Sequence, residues 1–184
     1  MSTETAETIL ITGLWNIDPA HSSVGFEVKH MMIAKVHGKF TDFAGSLNVD
    51  EAGRLQIAGV IQAASIDTGT ADRDNHLRSE DFLNAEKNPQ LTFYSTEIKR
   101  TNDDEFEMTG DLTINDLTKS VELELKIKGT GIDPWENQRV ALEVQGAINR
   151  RDFGLNWNQA LEAGKFLVGD KVKIWVHASA IKAT

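Results

Sequence analysis

The segment Val121-Glu-Leu-Glu-Leu-Lys-Ile-Lys128 alternates apolar and charged residues without a break. At the two-residue period of a β-strand this puts Val121, Leu123, Leu125 and Ile127 on one face and the charges on the other, a pattern that a helix would smear around its circumference. The same signal recurs at Val24, Phe26 and Val28, at Phe106, Met108, Leu112 and Ile114, at Val140, Leu142, Val144 and Ile148, and at Val172, Ile174 and Val176. Adding Phe40–Asp50, Leu55–Ile66 and Leu91–Lys99 brings the total to about eight strands, each with one apolar face. Turn chemistry separates them at Asp50-Glu-Ala-Gly53, at Thr101-Asn-Asp-Asp104 and over Gly129–Asn137, and such short connections make neighbours antiparallel. Strands of this kind form a sandwich or a barrel. The expected fold is all-β with minor helix: an eight-stranded antiparallel β-barrel, either filled by its own side chains or hollow enough for one small ligand.

One region breaks the alternation. Thr70 to Ala85 reads as one or two short helices, with Thr70 positioned to cap the first and Ser79 the second, and Pro89 stops helix from running into the next strand. Met31–Lys35 reads as a further turn of helix. Gly25, Gly59, Gly110 and Gly146 fall inside strands, where a glycine can mark a bulge.

With 184 residues, no internal repeat and no Pro- or Ser-rich linker, the chain reads as a flexible N-terminal segment over residues 1–13 and one domain over 14–184. The formal net charge is −9 with scattered Lys and Arg, which argues against nucleic acid as a partner and against docking on anionic membranes. No apolar run approaches the ~20 residues of a membrane-spanning helix, so no membrane insertion is expected. Met1–Thr8 has no basic n-region and Ile9-Leu10-Ile11 is too short for a signal core, so the expected location is the cytoplasm. The absence of cysteine excludes disulfides and thiolate chemistry.

Candidate chemistry is sparse. His21, His30, His37, His76 and His177 show no metal-site spacing, although a barrel brings distant strands together and His30 and His76 would be the first suspects. Ser22 follows His21 directly, so on a strand the two point to opposite faces and make a poor dyad. Asp72, Asp74, Glu80 and Asp81 suit a helix start and a solvated helix face, and Asp18 before Pro19 suits a turn. Arg73, Arg78, Arg150 and Arg151 can grip a diphosphate or another polar head group, or pair with local acids such as Asp74 and Asp152.

Several ordered blocks then carry a likeness: Trp15-Asn-Ile-Asp-Pro-Ala-His-Ser-Ser-Val-Gly-Phe26 with Val28 and His30, Val36-His-Gly-Lys-Phe40, and Ser65-Ile-Asp-Thr68. They continue with Arg73-Asp-Asn-His-Leu-Arg-Ser-Glu-Asp-Phe82, Asn88-Pro89, Phe93-Tyr-Ser-Thr96, Gly110–Lys119, Asn149-Arg-Arg-Asp-Phe-Gly154 and Val168-Gly-Asp-Lys-Val172. This series resembles the YceI-like family of polyisoprenoid-binding, lipocalin-like proteins. Asn115-Asp116 departs from the His-Gly more usual at that turn.

The resemblance implies a lipocalin-like barrel with a helical element at its rim and an elongated apolar cavity, which in relatives holds a long-chain lipid such as a polyprenyl chain or a quinone. Many relatives carry a secretory signal. On this reading Phe26, Val28, Phe40, Phe43, Phe93, Phe106, Phe153, Trp157 and Phe166 are candidates for the ligand wall. Arg73, His76, Arg78 and Arg150 are candidates for head-group contacts.

The expected function is non-enzymatic binding, sequestration or transport of a polyisoprenoid, quinone or fatty-acid-like lipid, with no catalytic residues, no metal and no cofactor besides that ligand. A homodimer is compatible with it. Two rival readings stay open: an enzyme using His and carboxylate near the barrel mouth, and an interaction module with a filled barrel.

Overall fold

A computed structural model of the chain describes residues 10–184; of the expected flexible segment, residues 1–9 lie outside the described residues. Eleven strands form one antiparallel sheet: β1 (Gly13–Ile17), β2 (Ser23–His30), β3 (Ala34–Phe40), β4 (Phe43–Val49), β5 (Leu55–Gln62), β6 (Ile66–Asp67), β7 (Gln90–Arg100), β8 (Glu105–Ile114), β9 (Leu117–Ile132), β10 (Gln138–Asn149) and β11 (Val168–Lys182). The order β1-β4-β5-β7-β8-β9-β10-β11 returns to β1, so these eight strands close a barrel. The remaining strands branch from β11 as β2-β3-β6.

The branch arises from a break between β1 and β2. Asp18 accepts from the Ala20 N–H at 3.1 Å and caps a 3-10 turn over Pro19–His21, which Pro19 starts with its fixed φ. β11 therefore meets two partners in succession along one side: Ala180–Lys182 pair with β1, and Val172–His177 pair with β2. Arg139 on β10 holds this break by donating from Nη1 to Asp18 at 3.0 Å and from Nε to Asp133 at 2.7 Å.

The two ends of the barrel differ. At the β1 end Trp15, Leu47, Val49, Met108, Leu125 and Val140 are almost wholly buried in one cluster with Leu10, and this end is filled. Each such side chain stabilises the fold by roughly 1.5–3 kcal/mol on burial. At the β2 end the wall is completed by the two-residue β6, the helix α1 (Ala71–Arg78) and the 150–167 connection, around a second cluster containing Ile66, Leu83, Leu91, Ile114 and Phe153.

Several local expectations are corrected. Met31–Lys35 forms no helical turn: Met31 and Met32, at φ 54° and 61°, make a tight β-hairpin turn that leads into β3. Thr70–Ala85 yields one helix. Ser79 does not start a second but closes the first, donating from Oγ to the His76 carbonyl at 2.6 Å, and Asn84 then turns the chain at φ 46°. Thr70 makes no capping hydrogen bond from its side chain; its Oγ1 accepts from Arg73 at 3.3 Å.

The Gly129–Asn137 turn is shorter than expected, because β9 runs on to Ile132 and only Asp133–Asn137 turns. The register shifts lie at Ser95/Glu97, where Gly110 is the partner of Ser95, and at Ala141/Leu142 and Val168/Val172; Gly25, Gly59 and Gly146 mark none. Three of these four glycines make room for neighbours: Trp175 lies across Gly25, Phe93 across Gly110 and Leu123 against Gly146.

A Cβ at Gly110 would sit 2.3 Å from the Phe93 ring and 2.7 Å from the Tyr94 carbonyl oxygen, and the latter is backbone that cannot swing away. Gly110→Ala is expected to destabilise the fold by about 1–3 kcal/mol, read as a lower urea midpoint. Gly59→Ala, whose nearest neighbour is 3.8 Å away, should leave the midpoint unchanged or raise it. Equal midpoints for the two variants would contradict this packing.

A second expectation concerns acid. Burial pushes the Asp133 carboxyl up, but Arg139 and the N–H groups of Asn137 and Trp135 outweigh it and hold the pKa at about 2, against 3.8 ordinarily. A carboxyl depressed in the fold contributes stability that is present above the unfolded pKa and lost as pH falls from about 4 towards 2. Asp133→Asn should lower the urea midpoint at neutral pH and flatten its decline below pH ~4; an unaltered acid limb would sink this assignment.

Candidate ligand-binding site

Strand parity brings the first wall together. Phe26 and Val28 on β2 face inward, opposite Gly38 and Val36 on β3, and the Phe26 ring covers the bare Gly38 backbone, where a Cβ would come within 2.2 Å of it. The Phe40 ring stands 5.8 Å from Phe26. Val172 and Ile174 from β11, Ile114 from β8, Ile148 from β10 and Leu91 from β7 continue the wall. Leu77, Phe82 and Leu83 from α1 and the turn behind it close the top, with Leu155, Trp157 and Leu167 from the 150–167 connection. The enclosed space is a cavity of about 280 Å³.

Three rings meet at the rim. His76 on α1 lies edge-on to Trp157 at 4.6 Å and to Phe82 at 5.1 Å, and Phe82 and Trp157 are 5.3 Å apart. The His76 Nε2 is 2.9 Å from Asp81 Oδ2, which orients the ring. The trio ties the helix to the 150–167 connection through side-chain contacts alone.

Among the described residues, the ionisable side chains lining the cavity are Lys29, Arg73 and Arg150, with the imidazoles of His30 and His76, and no carboxylate is among them. Arg150 is buried, and its guanidinium donates to the carbonyls of Gly169 at 2.8 Å, Leu155 at 2.5 Å, Trp157 at 2.8 Å and Val168 at 3.3 Å. Burial lowers its pKa, and Asp170 opposes that. Arg150 is thus a staple for the connection, with its donors consumed. Arg73 donates from Nε to the Thr68 hydroxyl at 2.7 Å and from Nη2 to the Thr68 carbonyl at 2.8 Å, while the buried Asp74 accepts from the Thr68 N–H at 2.8 Å. These bonds dock α1 on β6 and leave the Arg73 Nη1 without a partner among the described residues.

Of the residues expected in a ligand wall, Phe26, Val28, Phe40 and Trp157 line the cavity, as do Arg73, His76 and Arg150 among the head-group candidates. The others lie elsewhere. Phe93 and Phe106 pack in the filled half, and Phe106 sits beneath the Arg100 guanidinium at 5.3 Å. Phe153 is wholly buried in the second core cluster, Phe43 sits at the start of β4 outside the lining, and Phe166 is half exposed on the connection. Arg78 is spent on the carbonyls of Ala64 at 2.8 Å and Ile66 at 3.1 Å, which anchors the far side of α1.

Sequence reasoning missed the aliphatic majority of the wall. Val36, Val172 and Ile174 share the parity of Phe26 and Val28 and were accessible to it; Leu77, Leu83 and Leu155 carry no such signal, because the helix and the connection are irregular. Among the described residues no three His, Asp or Glu side chains converge as a metal set.

The comparisons with known proteins agree with this geometry. The model of the YceI-like domain matches residues 15–180. A UPF0312 protein of Pectobacterium atrosepticum is 42% identical over 139 residues, which cover 73% of this chain and 71% of that one. The YceI protein of Escherichia coli O17:K52:H18 is 43% identical over 137 residues with the same coverage. Among solved structures, the Campylobacter jejuni YceI protein superposes with a TM-score of 0.73 at 28% identity, covering 91% of this chain and 96% of that one. BcnA of Burkholderia cenocepacia reaches 0.77 at 24% identity, covering 91% and 99%. A polyisoprenoid-binding domain of Saccharophagus degradans shares the fold at 0.71 and 14% identity, covering 92% and 98%. With its matched span running over nearly the whole barrel, the chain belongs to the YceI-like family.

Proposed function

We propose that this protein binds one molecule of a single-chain amphiphile with an anionic head, holding the chain in the β2-end cavity and the head near Arg73. The observation that carries this reading is the composition of the lining among the described residues: apolar side chains throughout, basic groups at the rim, and no carboxylate. An apolar chain gains roughly 0.8 kcal/mol for each CH₂ it buries, so such a wall needs few polar contacts to bind. The basic rim supplies the preference for charge.

At about 280 Å³ the cavity is near the lower bound of the ~300–1,000 Å³ typical of ligand pockets. That size favours a fatty-acid-like or short prenyl chain over a bulky ligand. The S. degradans domain that shares the fold is described as polyisoprenoid-binding, which puts prenyl phosphates among the ligands to test. Among the described residues no Ser, Thr or Cys lines the cavity, so the His76–Asp81 pair has no side-chain nucleophile to activate there, and this supports binding over catalysis.

The test is organic extraction of the purified protein followed by mass spectrometry, and then titration with chain-length series of fatty acids, prenyl phosphates and neutral quinones. Affinity is expected to rise about fourfold per added methylene until the cavity is full and then level off. Anionic heads should bind more tightly than neutral ones of equal length, and Val36→Phe, which fills the cavity, should abolish uptake while preserving the fold. Ligand recovered chemically changed would favour an enzyme, and no uptake of any class would sink the proposal.

A further inference from the structure

The β2–β3 hairpin ends in a tip that its own sequence disfavours. The loop between the paired His30 and Ala34 has three residues, and its first two take positive φ, a conformation that favours Asn or Gly. Here the two positions are Met31 and Met32. Immediately behind the turn, Lys29 and Lys35 stand directly opposite each other across the pair, a like-charge placement that destabilises a hairpin. Lys35 is relieved by Glu27 at 3.2 Å, while Lys29 has no ion-pair partner among the described residues.

The tip is also apolar and exposed. Met32 is 59% exposed, Ile33 84% and Phe166, on the adjoining connection, 51%. The Met31 N–H donates to the Leu167 carbonyl at 2.7 Å, so hairpin and connection present one surface. That surface adjoins the cavity mouth, whose lining includes Lys29, His30, Leu167 and Val168.

Charge selects the occupant. Residues 27–39 and 161–173 together carry six lysines and three carboxylates, a net +3 in a chain whose formal net charge is −9. The acidic average, which argued against anionic membranes, therefore does not describe this end. Two copies meeting tip to tip about a two-fold axis would set positive against positive. The far end of the barrel exposes Ile132 and Trp135 as well, but there Lys128 and Arg139 are balanced by Asp133 and Glu136, with Arg139 paired to Asp133, so that tip has no excess of basic charge.

We propose that the Met31–Ile33 tip, with Phe166 and the surrounding lysines, docks the cavity mouth on an anionic phospholipid bilayer, so that an amphiphile passes between membrane and cavity without crossing water. Apolar residues seated at the interface and basic residues beside them are the two components of peripheral membrane binding, and no helix among the described residues is long and apolar enough to cross. The transfer step rests on the binding function proposed above; the docking step does not.

The experiment is flotation of the full chain with vesicles of phosphatidylcholine alone and of phosphatidylcholine mixed with phosphatidylglycerol, alongside a cavity-uptake titration with a fluorescent fatty acid. Binding is expected on the mixed vesicles only and should weaken with salt. A Met32→Asp, Ile33→Asp double variant should lose at least tenfold in vesicle affinity, and Lys165→Gln, beside Phe166 and outside the cavity lining, about fivefold, both with cavity uptake intact. Phe166→Ser offers a second route should the hairpin variant fail to fold.

No flotation on mixed vesicles, or equal flotation of the tip variants, overturns docking. So does a dimer in solution that the tip variants dissolve, since the tip would then belong to a second copy. Flotation without any amphiphile uptake would support docking and overturn the cavity reading instead.

Discussion

One strand with two successive partners sets the form of this molecule. β11 pairs with β10 from Asn149↔Lys171 to Arg139↔Ile181, while its other edge is shared between β1 and β2. The Asp18–Pro19 break that separates those two lets the barrel close at one end, through β1 and β4, and remain short of wall at the other, where β3 meets only the two residues of β6. Every other difference between the ends follows. The closed end fills with Trp15 and its aliphatic neighbours, and the open end must be completed by a helix and a long connection.

Completion by irregular elements explains why arginine is so prominent there. A strand satisfies its backbone through its neighbours, whereas a connection buried against the barrel has carbonyls that no ladder reaches. Arg150 serves four of them, and Arg78 serves two where α1 meets the 3-10 turn before β6. Both guanidiniums that looked available for a head group are therefore structural. Arg73 is the exception in part, since its bonds to Thr68 leave one nitrogen unspent.

The same construction places chemistry and surface together. The cavity, the ring trio of His76, Phe82 and Trp157, and the apolar hairpin tip all belong to the end where the regular sheet stops. The turn at Met31-Met32 and the opposed Lys29 and Lys35 are local departures from favourable hairpin design, concentrated where the barrel opens. Departures of that kind collect at functional sites because the surrounding fold can sustain them.

The amino-acid order alone determined eight of the eleven strands, though not β1, β3 or β6, with their antiparallel succession and one apolar face each, because a period of two is written directly in segments such as Val121–Lys128. It put Phe26 and Val28 on one apolar face by the same parity, while Phe40, which closes β3 rather than opening the next strand, became a wall candidate only through the family resemblance. It did not distinguish them from Phe93 and Phe106, which have equal parity on β7 and β8 but sit at the filled end. Which end a side chain occupies depends on register and closure, and those are decided by pairings between residues as distant as Trp15 and Lys182. The hollow in the barrel, the spending of Arg150 on backbone carbonyls and the gathering of basic charge around an apolar tip are likewise products of tertiary structure. Volume, hydrogen-bond satisfaction and local field arise only once those distant residues have met.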